Sequence, residues 1–64
     1  MTERERHVLN GVIEGLTNKA IAREMGIPEA SVKAALRRLF QRAGVHTRGQ
    51  LIRRALENPL VTHK

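Results

Sequence analysis

The stretch Met25-Gly26-Ile27-Pro28 constrains this chain more than any other. Before it, Thr17 opens a helix-like run in which Ile21 and Met25 face inward, and that run lasts only about two turns. Gly26 can take the left-handed conformation that ends a helix, and Ile27-Pro28 makes a short connector. After it, Val32, Leu36, Leu39, Phe40 and Ala43 fall on one stripe of a longer helix, from about Glu29 to Ala43. Two helices joined this tightly, the first so short, cannot lie antiparallel. They must cross at a steep angle, which is the geometry of a helix-turn-helix.

The flanking segments carry the same kind of punctuation. Thr2 and Glu5 have the spacing of a capping box, ahead of a stripe formed by Val8, Leu9, Val12 and Ile13 that Gly15 can end. Leu16 and Ile21 are spaced as a hydrophobic staple around Thr17, but Ala20 stands where a full box would need Glu. Gly44 stops the third helix. Thr47 and Gln50 form a second capping box, Leu51, Ile52, Ala55 and Leu56 mark the apolar side of a fourth helix, and Asn58-Pro59 ends it. Leu60 to Lys64 have no periodicity and read as a frayed tail. The expected fold is all-α, one compact four-helix domain over residues 1–64 with a central helix-turn-helix, ordered over about 2–57.

At 64 residues the chain has room for one small core. Phe40, its sole aromatic residue, is expected to plug the centre of that core. The net charge of +6 is unevenly placed. Through Glu29 there are four basic residues (Arg4, Arg6, Lys19, Arg23) and five acidic ones (Glu3, Glu5, Glu14, Glu24, Glu29). From Ala30 onward, eight basic residues face only Glu57. Such asymmetry points to a polyanionic partner. With no cysteine, thiolate chemistry is excluded and a reducing, cytoplasmic setting is expected. His7, His46 and His63 are too scattered for a metal site, and no phosphate loop or nucleophile motif occurs. The reading is non-enzymatic and without cofactor. No run of apolar residues approaches a membrane span, and the apolar stripe of the third helix is needed for the core rather than for a membrane surface.

The outer face of the third helix suits double-stranded DNA. A helix enters the major groove only where its leading side chains leave room for close approach. Ala30, Ala34 and Ala35 supply that room. Lys33 and Arg37, one turn apart, can reach base edges, while Arg38 and Arg42 are placed to neutralise phosphate. Asn18 and Lys19 stand near the positive N-terminus of the second helix, where the DNA backbone would pass.

Three stretches then carry a family resemblance: the opening T2-E3-R4-E5 with Val8-Leu9, the run GLTNKAIAREMGI, and SVK followed by GVHTRGQL. Together they make residues 1 to about 57 similar to the LuxR/FixJ/GerE-type helix-turn-helix domain of bacterial response regulators and quorum-sensing regulators. The resemblance implies a third helix that reads the major groove and a fourth that helps form a dimer on paired half-sites. It places Lys33, Ala34 and Arg37 at groove-facing positions, and Asn18, Lys19, Ser31 and Arg48 at positions that contact phosphate or support the contacting elements. It makes Glu5 structural, through its cap and an internal ion pair. Leu51, Ile52, Ala55 and Leu56 become the expected homodimer surface, and RNA polymerase a further expected partner.

The chain departs from that pattern in places. Pro28 stands where Ser or Thr usually caps the third helix, so its start is open to a shift of one residue. Ala35 replaces a common histidine, which removes one polar contact to DNA. Ala43 replaces a usual leucine, thinning the core near Gly44. Met1 replaces a leucine, as would a start codon set at a domain boundary, so the chain reads as either an excised C-terminal domain or a small stand-alone regulator. With no Asp present, no aspartyl phosphorylation can occur within these residues. Two alternatives stay open: a promoter-binding domain like region 4 of a sigma factor, and a basic module that docks an acidic protein.

Overall fold

The structure is a computed structural model that describes residues 1–57. Four helices follow in order: α1 (Glu3–Ile13), α2 (Asn18–Met25), α3 (Glu29–Ala43) and α4 (Arg48–Glu57). Among the described residues there is no strand. The expected stop at Asn58-Pro59 and the frayed tail from Leu60 to Lys64 lie outside the described residues.

The starts follow the side-chain chemistry read from the sequence. At α1 the Glu5 backbone N–H donates to Thr2 Oγ1 at 3.0 Å, and the Thr2 N–H donates to Glu5 Oε1 at 3.2 Å, a complete capping box. At α2 only one of these bonds forms, from the Ala20 N–H to Thr17 Oγ1 at 3.0 Å. At α4, Gln50 Oε1 accepts from both the Thr47 N–H (3.2 Å) and the His46 N–H (2.9 Å), while the Gln50 N–H donates to Thr47 Oγ1 at 3.1 Å. Pro28 leaves α3 without a side-chain cap, yet α3 begins at Glu29 with no shift of its start. Pro28 is the N-cap residue itself, and its carbonyl accepts the Ser31 N–H at 3.0 Å.

The ends of α1, α2 and α3 share one device that the glycines alone did not reveal. After α2, the Gly26 N–H bonds Arg23 O and the Ile27 N–H bonds Ala22 O, with Gly26 at φ +67°. After α3, Gly44 at φ +69° and Val45 repeat the pattern onto Gln41 and Phe40, and Gly15-Leu16 repeats it after α1. These are Schellman closures, in which an aliphatic residue follows the left-handed glycine. Leu16, Ile27 and Val45 are those residues, and all three pack in or against the core. The stops of α1, α2 and α3 therefore also supply core surface.

Helix α3 packs against the other three helices. Val8, Leu9 and Val12 from α1, Ile21 and Ala22 from α2, Val32, Ala35, Leu36 and Leu39 from α3, Val45 from the connector, and Leu51 and Ala55 from α4 form the core. Helices α1 and α2 meet so closely that a Cβ on Gly11 would stand 2.7 Å from Ile21 Cγ1. Two expectations are corrected here. Phe40 is not the central plug; it is half-buried at the rim, and Leu9, Ile21 and Leu51 are the largest fully buried side chains. Ala35 is fully buried rather than on the open face, because the helices around α3 cover a wider arc than its aliphatic stripe.

Candidate nucleic-acid interface

The packing of α1, α2 and α4 against α3 leaves one side of it uncovered. Ala30, Lys33, Ala34 and Arg37 all lie exposed on it, with Gln41 continuing the surface by one turn. Ala30 and Ala34 project only a methyl group each, so the cations at 33 and 37 stand above a low helical surface. Ser31 is half-buried and Lys19 exposed. Ala35, expected to widen the open side, contributes nothing to it.

One edge of this face is fastened to α1, and beside the other edge α4 is fastened to the start of α2. On one edge, Glu5 reaches from α1 to two arginines of α3. Arg38 Nε donates to Glu5 Oε2 at 3.0 Å, and Arg42 Nη1 donates to Glu5 Oε1 at 3.0 Å. Glu5 is buried, the only charged residue in the core among the described residues. The Thr2 backbone N–H and then Arg38, with a smaller share from Arg42, hold its carboxyl down at about 2, against the desolvation that would raise it. Arg38 and Arg42, expected on phosphate, thus already have a carboxylate partner, while about half of each side chain remains exposed.

On the other edge, Arg48 reaches from the first turn of α4 to the start of α2. Its Nη1 donates to Asn18 Oδ1 at 2.8 Å, and its Nη2 donates to the Leu16 carbonyl. Asn18 and Arg48, expected as separate backbone contacts, are joined to each other. Beside them an open groove runs between Asn18, Lys33, Leu36, Arg37, Phe40 and Arg48. A second groove continues from Arg37 and Phe40 to Gln41 and His46. Phe40 and His46 were not foreseen at this surface. On a helical wheel Phe40 lies between the core stripe and Lys33, and that intermediate angle was the available signal.

The four α4 residues expected at a dimer surface divide. Leu51 and Ala55 are 1% exposed and belong to the core of this domain, Ile52 is half-buried, and Leu56 is 67% exposed. At the end of α3, Arg54 Nη1 donates to the Ala43 carbonyl at 2.7 Å and ties α4 to the open end of that helix. Among the described residues no group of three His or Glu side chains is placed to hold a metal, and no helix is long and apolar enough to cross a membrane.

Comparison with known proteins gives a consistent result. A family model described as bacterial regulatory proteins, luxR family, matches residues 1–55. The chain is 44% identical over 61 residues to a probable transcriptional regulator, ycf29, of Cyanophora paradoxa, covering 95% of this chain and 29% of that protein. It is 39% identical over 59 residues to the response regulator Rre1 of Synechocystis, covering 92% and 26%. It is 32% identical over 62 residues to the transcriptional regulatory protein YdfI of Bacillus subtilis, covering 97% and 29%. The chain therefore spans less than a third of the length of these relatives. No solved structure matches it. The chain belongs to the luxR family of bacterial regulatory proteins and forms its helix-turn-helix, DNA-binding domain.

Proposed function

We propose that this domain binds double-stranded DNA sequence-specifically within a cytoplasmic bacterial transcription regulator, with α3 lying in the major groove. The observation that carries the proposal is the low, exposed face of α3, where Ala30 and Ala34 permit close approach and Lys33 and Arg37 flank them. Arg and Lys at such positions pair with guanine O6 and N7. Lys19, Ser31, Arg38, Arg42 and the joined Asn18–Arg48 pair lie at its margins and serve the phosphates. Two domains associate through Leu56 and the exposed part of Ile52, since Leu51 and Ala55 are already used internally. Half-sites in such dimers lie about 34 Å apart, or a multiple of that distance. RNA polymerase is a further partner of the complete regulator. The family match favours this reading over a sigma-type promoter domain.

Random-site selection on duplex DNA, followed by affinity measurement across salt concentrations, tests the proposal. The expected result is a recurring half-site, with affinity falling steeply as salt rises. An affinity for duplex DNA that does not change with salt would sink the reading and leave an acidic protein as the partner of the basic face.

A further inference from the structure

The two arginines on the α1 edge are anchored without being used up. Arg38 meets Glu5 through Nε, so that neither of its Nη groups takes part in the pair. Arg42 meets Glu5 through Nη1, so that its Nη2 and Nε stay outside it. Their side chains are 51% and 53% exposed, whereas that of Glu5 is 3% exposed. A single carboxylate is thus buried beneath two guanidinium groups that keep donors available to solvent. Glu5 is itself fixed, because its Oε1 also accepts the Thr2 N–H in the cap of α1. The two arginines follow one turn apart along α3, directly beside the face that carries Ala34 and Arg37.

We propose that Glu5 is a positioning residue for the DNA backbone: it holds Arg38 and Arg42 as one preorganised two-guanidinium edge for phosphate and cancels one of their two charges. This rests on the DNA-binding reading above. An exposed arginine ordinarily samples many rotamers and loses that freedom on binding. Here the carboxylate has already restricted both side chains, so less freedom is lost when a phosphate arrives. The same carboxylate lowers the charge available to displace counterions. Two independent arginines on phosphate would contribute about 1.8 to the slope of log affinity against log salt, whereas two arginines and one carboxylate contribute about 0.9.

The test is fluorescence anisotropy on one duplex, at roughly 50 to 200 mM salt, for the wild-type chain, Glu5→Gln and Arg38→Gln. Each variant is first checked for a cooperative thermal melt. Glu5→Gln is expected to steepen the salt slope by about 0.9, because it leaves both arginine charges uncompensated. Arg38→Gln is expected to flatten it by about 0.9 while Arg42 and the Thr2 N–H still hold Glu5. A purely structural ion pair would change melting temperature and leave both slopes at the wild-type value, and that result would overturn the proposal. If Glu5→Gln does not fold, Arg38→Gln decides alone, since Arg38 is half exposed and its unchanged slope would be equally fatal. If the wild-type chain itself shows no salt-dependent binding, the DNA reading fails. If it does and neither variant moves the slope, the DNA reading stands, while the Glu5-anchored phosphate edge fails, the contact given to Arg38 included.

Discussion

The two clamps that flank α3 join helices with opposite chemistry. On the α1 edge a buried anion draws in two arginines from the helix it supports. On the α2–α4 edge a single arginine, half-buried, donates to two neutral oxygens, Asn18 Oδ1 and the Leu16 carbonyl. The first arrangement is an ion pair whose strength depends on the ionisation of Glu5. The second contains no carboxylate and keeps its whole positive charge. One edge therefore responds to acid and to charge balance, while the other responds only to the geometry of its donors. Helix α3 is bonded to α1 on one side and flanked by the α2–α4 clamp on the other, and Glu29 in its first turn is its one acidic residue.

The largest effect is expected where the neutral acceptors would lose their donor. Arg48→Ala leaves the Leu16 carbonyl and the Asn18 amide oxygen without their arginine, and hydrogen bonds to charged groups contribute about 1.5–3 kcal/mol. Urea denaturation should show a loss of about that size, and a loss below about 0.5 kcal/mol, the scatter of an ordinary surface change, would mean α4 is not fastened to α2 there. Glu5→Gln should separate the two edges by pH. The carboxyl of Glu5 is held at about 2 in the fold, below its unfolded range. Its contribution is thus fully present above about pH 4.3, the ordinary value for glutamate, and is lost as pH falls toward 2. The wild-type melting temperature should decline through that window, and the Glu5→Gln variant should lose this part of the decline. Arg48→Ala should keep it, because no titrating group lies in its pair.

Smaller effects sharpen the role of α4. Arg54→Ala removes one exposed bond to the Ala43 carbonyl and should cost about 1 kcal/mol by the same denaturation assay. Gly49 stands beside Arg48 in the first turn of α4, has no positive φ, and has open space where a Cβ would point. Gly49→Ala should therefore stabilise the domain by about 0.5 kcal/mol through the unfolded chain. Gly11→Ala is the contrasting case, since its Cβ would meet Ile21, and it should destabilise.

The sequence made the helix boundaries legible because their determinants are local. Thr2 with Glu5, Gly26, and Thr47 with Gln50 each act within a few residues, and the structure uses all of them. The exposed positions Ala30, Lys33, Ala34 and Arg37 were legible for the same reason, since helical period fixes their angle. Ala35 and Phe40 were not. Period gives a direction around a helix, but how much of the circumference is covered depends on how three neighbours pack. The bond from Arg48 to Asn18 spans 30 residues of chain, and no local pattern announces it. Leu51 and Leu56 show the same limit: both sit on the apolar side of α4, yet one is core and the other surface.

On the proposed reading the open face of α3 meets bases, while the residues at its margins meet only phosphates. Random-site selection with the wild-type chain and Arg37→Ala, run side by side, tests this most directly. Arg37→Ala is expected to lower affinity for the selected site by about 1–3 kcal/mol and to relax preference at one base-pair position, leaving the other positions as they were. A variant that weakens all sequences equally, with base preference intact throughout, would contradict it and reduce Arg37 to a phosphate contact.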